Sequence, residues 1–365
     1  MNARIAVVLL VLLAVLGGGA LLYNYQERTQ RADNAATLGR PLVKDLKAAD
    51  IASIKIVEPK ATLTLQRKED GWVIAERRGF PADVGRVREF VFKILGLKVG
   101  QSEPIADKDR GRLNVDEPGK KSETAGTQVE FNGADGKPLA RLIVGKKYFK
   151  REVENPDKAP ADGRFIVIPA EAGTVYVISD PLAQASAKSA DWIDRSSFQV
   201  EKVKTLEVRP PKGEGWRIER NADNADWKLI GLKPGEKLDT GRANAASYSL
   251  SLLELADVAA DDAKDTGLDK PTLINATTLD GLAYEIKVGS LVGDNYFVRF
   301  SSNGSPAEAA GDLKSSDAER LKKLRERLPR EKLLADYVLL VPKSKLEDTL
   351  KPRADLLEKK PDAKK

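Results

Sequence analysis

The sequence of 365 residues contains no cysteine, no histidine and a single methionine. Without Cys there are no disulfides, thiolate nucleophiles or iron–sulfur clusters, and composition says nothing of the redox compartment. Without His there is no zinc finger, no Ser-His-Asp triad and no imidazole-ligated metal. Paired carboxylates, Ser with Lys, and all-oxygen sites for Mg²⁺ or Ca²⁺ stay open to catalysis. A phosphate loop is missing as well: around Gly145, Gly289 and the run Gly17-Gly18-Gly19, no Gly-Lys-Ser/Thr follows four variable residues. An intrinsic NTPase is therefore not expected. What is there, 41% hydrophobic and 32% charged residues over about two domains' length, describes a folded protein with a heavily charged surface.

Ile5 to Leu22 is an unbroken apolar run of 18 residues, extended by Tyr23 and Tyr25 at the place of an interfacial aromatic belt. As a helix it spans about 30 Å, one hydrocarbon core. A cleaved signal peptide is the rival, with Arg4 as the n-region and Gly18 and Ala20 as a small-x-small site. The apolar run continues past that site through Leu21 and Leu22, so the sequence predicts an uncleaved anchor over 5–25 behind a cytoplasmic stub of residues 1–4. The expected location is the inner membrane, single-pass, with the bulk of the chain in the periplasm. Residues 26–44 read as a polar tether.

From Ile51 the text reads as two copies of one unit. Ile54, Ile56, Leu63 and Leu65 alternate around a Pro turn and are followed by Gly71-Trp72-Val73-Ile74; Leu206, Val208, Trp216 and Ile218 do the same and are followed by Asp226 to Ile230. Asp83 opens a helical stripe of Val87, Phe90, Val91, Ile94, Leu95 and Leu97, and Asp239 opens one of Ala243, Ala246, Tyr248, Leu250, Leu253 and Leu255. Asp116-Glu117-Pro118 matches Asp269-Lys270-Pro271, and each turn precedes a hairpin with an Asp-Gly turn (135–136, 280–281) and a closing Val-Gly (144–145, 288–289). The pattern predicts an α+β tandem duplication of an antiparallel-sheet-plus-helix unit: a first repeat over 45–197, a second over 198–358, and a disordered Lys-rich tail over 359–365.

Ile51-Ala52-Ser53-Ile54-Lys55-Ile56, the Gly71-Trp72 strand, Phe80-Pro81-Ala82-Asp83, Val115-Asp116-Glu117-Pro118, the Asp135-Gly136 to Val144-Gly145 hairpin and Asp191-Trp192-Ile193-Asp194-Arg195 together resemble the bacterial domain-of-unknown-function family numbered 4340. The resemblance implies one N-terminal span, an extracytoplasmic region and company with ABC transporters of the gliding-motility auxiliary type. It brings no catalytic or binding residue with it.

Asp83 and Asp239 admit an acid/base reading but are first expected as helix caps, and Asp116 and Asp269 as turn formers rather than calcium ligands. Trp72, Trp192, Trp216 and Trp227 admit a sugar platform, yet three of the four sit in alternating strand patterns, which favour the core. The net charge of +6 is +5 beyond Arg4, too mild for nucleic acid, and no recognition motif accompanies it. Its densest stretch, Leu313 to Lys332, carries Leu321, Leu324 and Leu328 on one face and reads as a basic amphipathic helix, its leucines on the second sheet rather than on lipid. No catalytic, cofactor-binding or metal residue is assigned and no cofactor is expected. The expected function is a non-enzymatic envelope accessory or scaffold bound to the bilayer through residues 5–25 and to ABC transporter proteins, with no nucleic acid. The alternative is a cell-wall or glycan-binding protein, conceivably a carboxylate-dependent hydrolase.

Overall fold

The computed structural model describes residues 37–119, 123–195, 198–306 and 315–359. The expected anchor at 5–25, most of the tether and the tail from 360 lie outside the described residues, among which no helix is long and apolar enough to cross a membrane. The fold is α+β with two antiparallel sheets. The described residues form two compact units: one holds those up to Val73 with Val84–Asp191, the other Ile74–Asp83 with those from Trp192 on.

Strands β1 (Ser53–Glu58), β2 (Ala61–Lys68), β3 (Gly71–Ile74), β4 (Phe80–Pro81), β5 (Gln101–Pro104), β6 (Thr127–Asn132), β7 (Pro138–Tyr148), β8 (Gly163–Val167) and β9 (Thr174–Ile178), with helix α1 (Val84–Gly96), make up the first repeat. Their sheet order is β4-β3-β2-β1-β6-β7-β8-β9-β5. The second repeat has β10 (Val203–Arg209), β11 (Trp216–Glu219), β12 (Lys228–Leu229), β13 (Asp257–Val258), β14 (Thr272–Thr278), β15 (Ala283–Val292), β16 (Asn295–Asn303) and β17 (Leu339–Pro342), with helices α2 (Thr240–Tyr248), α3 (Ser315–Leu334) and α4 (Lys343–Leu346). Its order is β12-β11-β10-β14-β15-β16-β17-β13, the first order without β4.

The alternating residues place the cores. Ile54 pairs with Leu65 and Phe131, and Leu206 with Ile218 and Ala276, all of them buried. The chain then closes each repeat on the lead-in to its principal helix by the same bonds. The Asp83 N–H donates to Trp192 O (2.7 Å) and the Asp194 N–H to Pro81 O (3.1 Å). In the second repeat Asp239 donates to Leu356 O (2.9 Å) and Glu358 to Lys237 O (2.9 Å).

The structure departs from the sequence pattern at three places. Strand β12 begins only after Trp227. Helix α2 stops at Tyr248 and continues as a 3₁₀ turn over Ser249–Leu252, so Tyr248 points outward instead of joining the stripe; the helix buries only Ala243, Ala246 and Ser247. The edge strands β5 and β13 were not legible, because Gln101–Pro104 has no apolar alternation and Asp257–Val258 is two residues long.

Candidate functional site: paired clefts beside the principal helices

In the first unit a cleft of about 330 Å³ opens between the β2–β3 hairpin and α1. Gly71 starts β3 at φ +139°, and a Cβ there would stand 3.3 Å from Val84 Cγ2, so the turn into β3 lies against the helix start. Helix α1 turns Val87, Phe90, Val91 and Ile94 into the core, which sends Val84 and Phe92 to the surface; Phe92 is 59% exposed. With half-buried Trp72 these two form the apolar part of the cleft, bordered by Arg67, Lys68 and Arg88. Glu69 is the only carboxylate on the lining. Arg67 Nη1 donates to the Ala49 carbonyl (3.2 Å), and among the described residues no ion pair engages Lys68 or Arg88.

The second unit repeats the cleft, at about 540 Å³, with different chemistry. Its Trp227, at the position of Trp72, is buried, donates Nε1–H to Asn244 Oδ1 (2.9 Å) and lies 4.5 Å beneath the Arg220 guanidinium. Charges around this cleft are matched: Arg220 to Asp223 (2.7 Å), Lys202 to Asp317 (3.0 Å) and Arg327 to Glu201 (3.7 Å). Tyr248 stands exposed on its rim. One frame thus carries an apolar cleft with uncompensated cations in the first repeat and a charge-balanced cleft with a closed-in Trp in the second.

The residues singled out from sequence fall as follows. Asp239 is a helix cap, its Oδ1 accepting from the Arg242 N–H (3.1 Å); Asp83 directly precedes α1 in the equivalent place. Asp116 does not bond its nearby backbone as expected. Instead its Oδ2 accepts from Thr124 Oγ1 (2.7 Å) and ties the far end of the loop. Among the described residues no cluster of acidic side chains is arranged to hold a metal ion. Trp192, Trp216 and Trp227 are buried, so no four-ring platform exists, whereas Trp72 corrects the all-core expectation by lining the first cleft. Sequence reasoning passed over Phe92, although an aromatic out of phase with the Val87-Phe90-Val91-Ile94 stripe is a readable signal.

The basic helix α3 packs on β16 with Leu321, Leu324, Leu328 and Leu334 buried. Arg320 forks onto Asp280 of the Asp-Gly turn (2.7 and 2.8 Å), and Arg330 pairs with Asp194. Glu331, 1% exposed, faces Arg327 (2.7 Å), the Gln199 N–H (3.4 Å) and, more distantly, Glu201 and the Tyr284 phenol of β15. Burial pushes its carboxyl above the usual carboxylate range against the pull of Arg327. The folded chain therefore holds this proton more tightly than the unfolded chain, and stability is withdrawn as pH rises from the ordinary Glu range through the raised value. Glu331→Gln cannot titrate. The Tm of the variant minus that of the wild type should grow as pH rises over this window, whatever its offset at acid pH; a difference that shrinks with rising pH would contradict the assignment.

A family model described as a domain of unknown function, DUF4340, matches residues 72–271, more than half of the chain. The chain belongs to the DUF4340 family. No curated protein and no solved structure matches it. The DUF4340 match starts at Trp72 and takes in α1 and strands β4 to β13, while β1, β2 and β14 to β17 lie outside it.

Proposed function

We propose that this DUF4340 protein is a non-enzymatic accessory or scaffold component of the cell envelope. Residues 5–25 anchor it in the inner membrane, the bulk of the chain lies in the periplasm, and its α+β repeats, products of one tandem duplication, bind partner proteins, foremost subunits of an ABC transporter. The apolar run from Ile5 to Leu22 supports the anchor, and the family resemblance supports the transporter association. Matching strand orders and matching closing bonds support the duplication. The observation that carries partner binding is the first cleft, where Phe92, Val84 and Trp72 sit among cations without carboxylate partners. Glycan binding now rests on Tyr248 beside Asn244 and Asp223 rather than on the buried Trp rings.

Fractionation of cells making the full chain tests the anchor. The protein should stay with membranes through high-salt washing, and a reporter fused after Lys365 should be active outside the cytoplasm. Release by salt, or a mature N-terminus at Leu21, would remove the anchor from the proposal. Purification from solubilised membranes should bring down transporter subunits with the wild type and several-fold less with Phe92→Glu, which places a carboxylate in the apolar part of the cleft.

A further inference from the structure

Another cleft of the first unit, of about 600 Å³, is lined by Asn114, Val144, Phe149 and the three cations Lys146, Lys147 and Arg164, among others. Its one carboxylate side chain is the exposed Asp157. The cations are brought there by a β-bulge. Pairing of β7 with β8 slips between Val144 and Lys147, and beyond the slip Lys147 stands directly opposite Arg164. Like charges directly opposite on neighbouring strands are unfavourable.

No carboxylate relieves this pair; neutral carbonyls hold both side chains. Lys147 Nζ donates to the carbonyls of Pro156 (3.2 Å), Asp157 (2.8 Å) and Ala159 (3.1 Å). Arg164 donates to Pro181 O (2.7 Å) and Gly145 O (2.8 Å), and burial makes its charged form costlier than in water. Among the described residues neither cation, nor Lys146, takes part in an ion pair.

The second unit supplies an internal comparison. Its strand β15 slips against β16 at the same place, between Val288 and Leu291, after the matching Gly289. There the residues standing opposite one another are Leu291 and Tyr296. The frame therefore accommodates an uncharged pair, and the first repeat carries two cations in its place.

We propose that this pocket binds an organic oxyanion, a phosphate or carboxylate head held between Lys147, Arg164 and Lys146 with its body toward Val144 and Phe149. A bound anion would offset the opposed charges: Lys147, whose three N–H already go to carbonyls, contributes its charge, while the remaining N–H groups of the Arg164 guanidinium and the Lys146 ammonium make the charge-assisted contacts. The site shares no lining residue with the Trp72 cleft, so it stands apart from the partner-binding proposal.

The test is thermal unfolding of the full chain in detergent, titrated with inorganic phosphate, citrate and dihexanoyl phosphatidylglycerol below its micelle threshold, with NaCl matching ionic strength. A ligand that binds only the folded state raises Tm by mass action, so Tm should rise and saturate with at least one anion. Lys147→Leu with Arg164→Tyr, the second repeat's own pair, should weaken the apparent Kd by about tenfold or more as the charge-assisted contacts go. Lys146→Gln, at an exposed position that leaves the fold alone, should weaken it by a smaller factor. Tighter response to the lipid than to phosphate assigns the head group to a phospholipid, and the reverse assigns a free anion. No rise above the NaCl control, or a rise of equal size in a double variant whose circular dichroism shows it folded, would overturn the proposal.

Discussion

Trp227→Ala should lower the unfolding free energy by about 3–5 kcal/mol, the range for removing a large buried aromatic and leaving a cavity. Trp227 is 5% exposed, its indole N–H is satisfied by Asn244 and its ring is covered by Arg220, so truncation removes the packing and uncovers the cation at once. Trp72→Ala, at the equivalent place in the first repeat, should cost only about 1–2 kcal/mol, since the half-buried ring surrenders less area and lines an open cleft. Urea or guanidinium unfolding of the two variants reads the difference. Equal losses would mean that the two clefts are not distinct as described.

Alanine at Gly145 and at Gly289 should each cost about 3 kcal/mol or more, at the upper end of what overpacking does, because the obstacle is backbone. A Cβ on Gly145 would lie 2.5 Å from Leu113 O and 2.6 Å from Val115 Cγ1, and one on Gly289 would collide with Thr266 O. In both repeats the loop carrying the Asp-x-Pro turn crosses the strand at its Val-Gly and touches it, chain on chain; the Ser290 N–H donates to Thr266 O across that crossing (2.8 Å). Neither glycine has a positive φ, so close approach and not backbone conformation requires it. Gly136 is the control: it sits at φ +77° in the exposed Asp-Gly turn, a Cβ there would meet nothing within 4 Å, and alanine should cost only about 1–2 kcal/mol of left-handed strain. Denaturant midpoints for the three variants test the ranking. A milder loss at Gly145 than at Gly136 would overturn the crossing.

Much of this fold was legible in the sequence because its signals are local. Two-residue alternation fixed Ile54, Ile56, Leu206 and Val208 as core, and turn chemistry fixed the hairpins at Asp135-Gly136 and Asp280-Gly281. The order of the landmarks carried the two-repeat reading. Edge strands did not show, since Gln101–Pro104 has a backbone partner but almost no buried face from which to read a pattern. The reason for Gly145 and Gly289 was equally hidden, because the contact that demands them comes from residues more than twenty positions away. Of the clefts, the hydrophobic stripe on α1 was readable, and so was Phe92 as an aromatic out of phase with it, whereas the opposition of Lys147 to Arg164 depends on a bulge that no local pattern announces. Trp72 and Trp227 look alike in sequence; Arg220 covers the Trp227 ring and Asn244 takes its N–H, whereas at the corresponding places the first cleft has Arg67, which turns to the Ala49 carbonyl, and Arg88.

The proposed docking of a transporter subunit at the Trp72 cleft is tested most directly by site-specific photo-crosslinking in living cells from position 92, with position 248 as the matched site in the second repeat. Both positions are exposed beside equivalent clefts, so reach and background labelling are the same while the cleft chemistry differs. A benzophenone amino acid in place of Phe92 should trap a subunit of an ABC transporter, identified by mass spectrometry, and the trapped product should disappear when Lys68 and Arg88 are both changed to Glu. Position 248 should trap the same subunit at least several-fold less. Equal trapping from the two positions, or no transporter subunit from position 92 in membranes that contain the protein at normal level, would refute docking at this cleft.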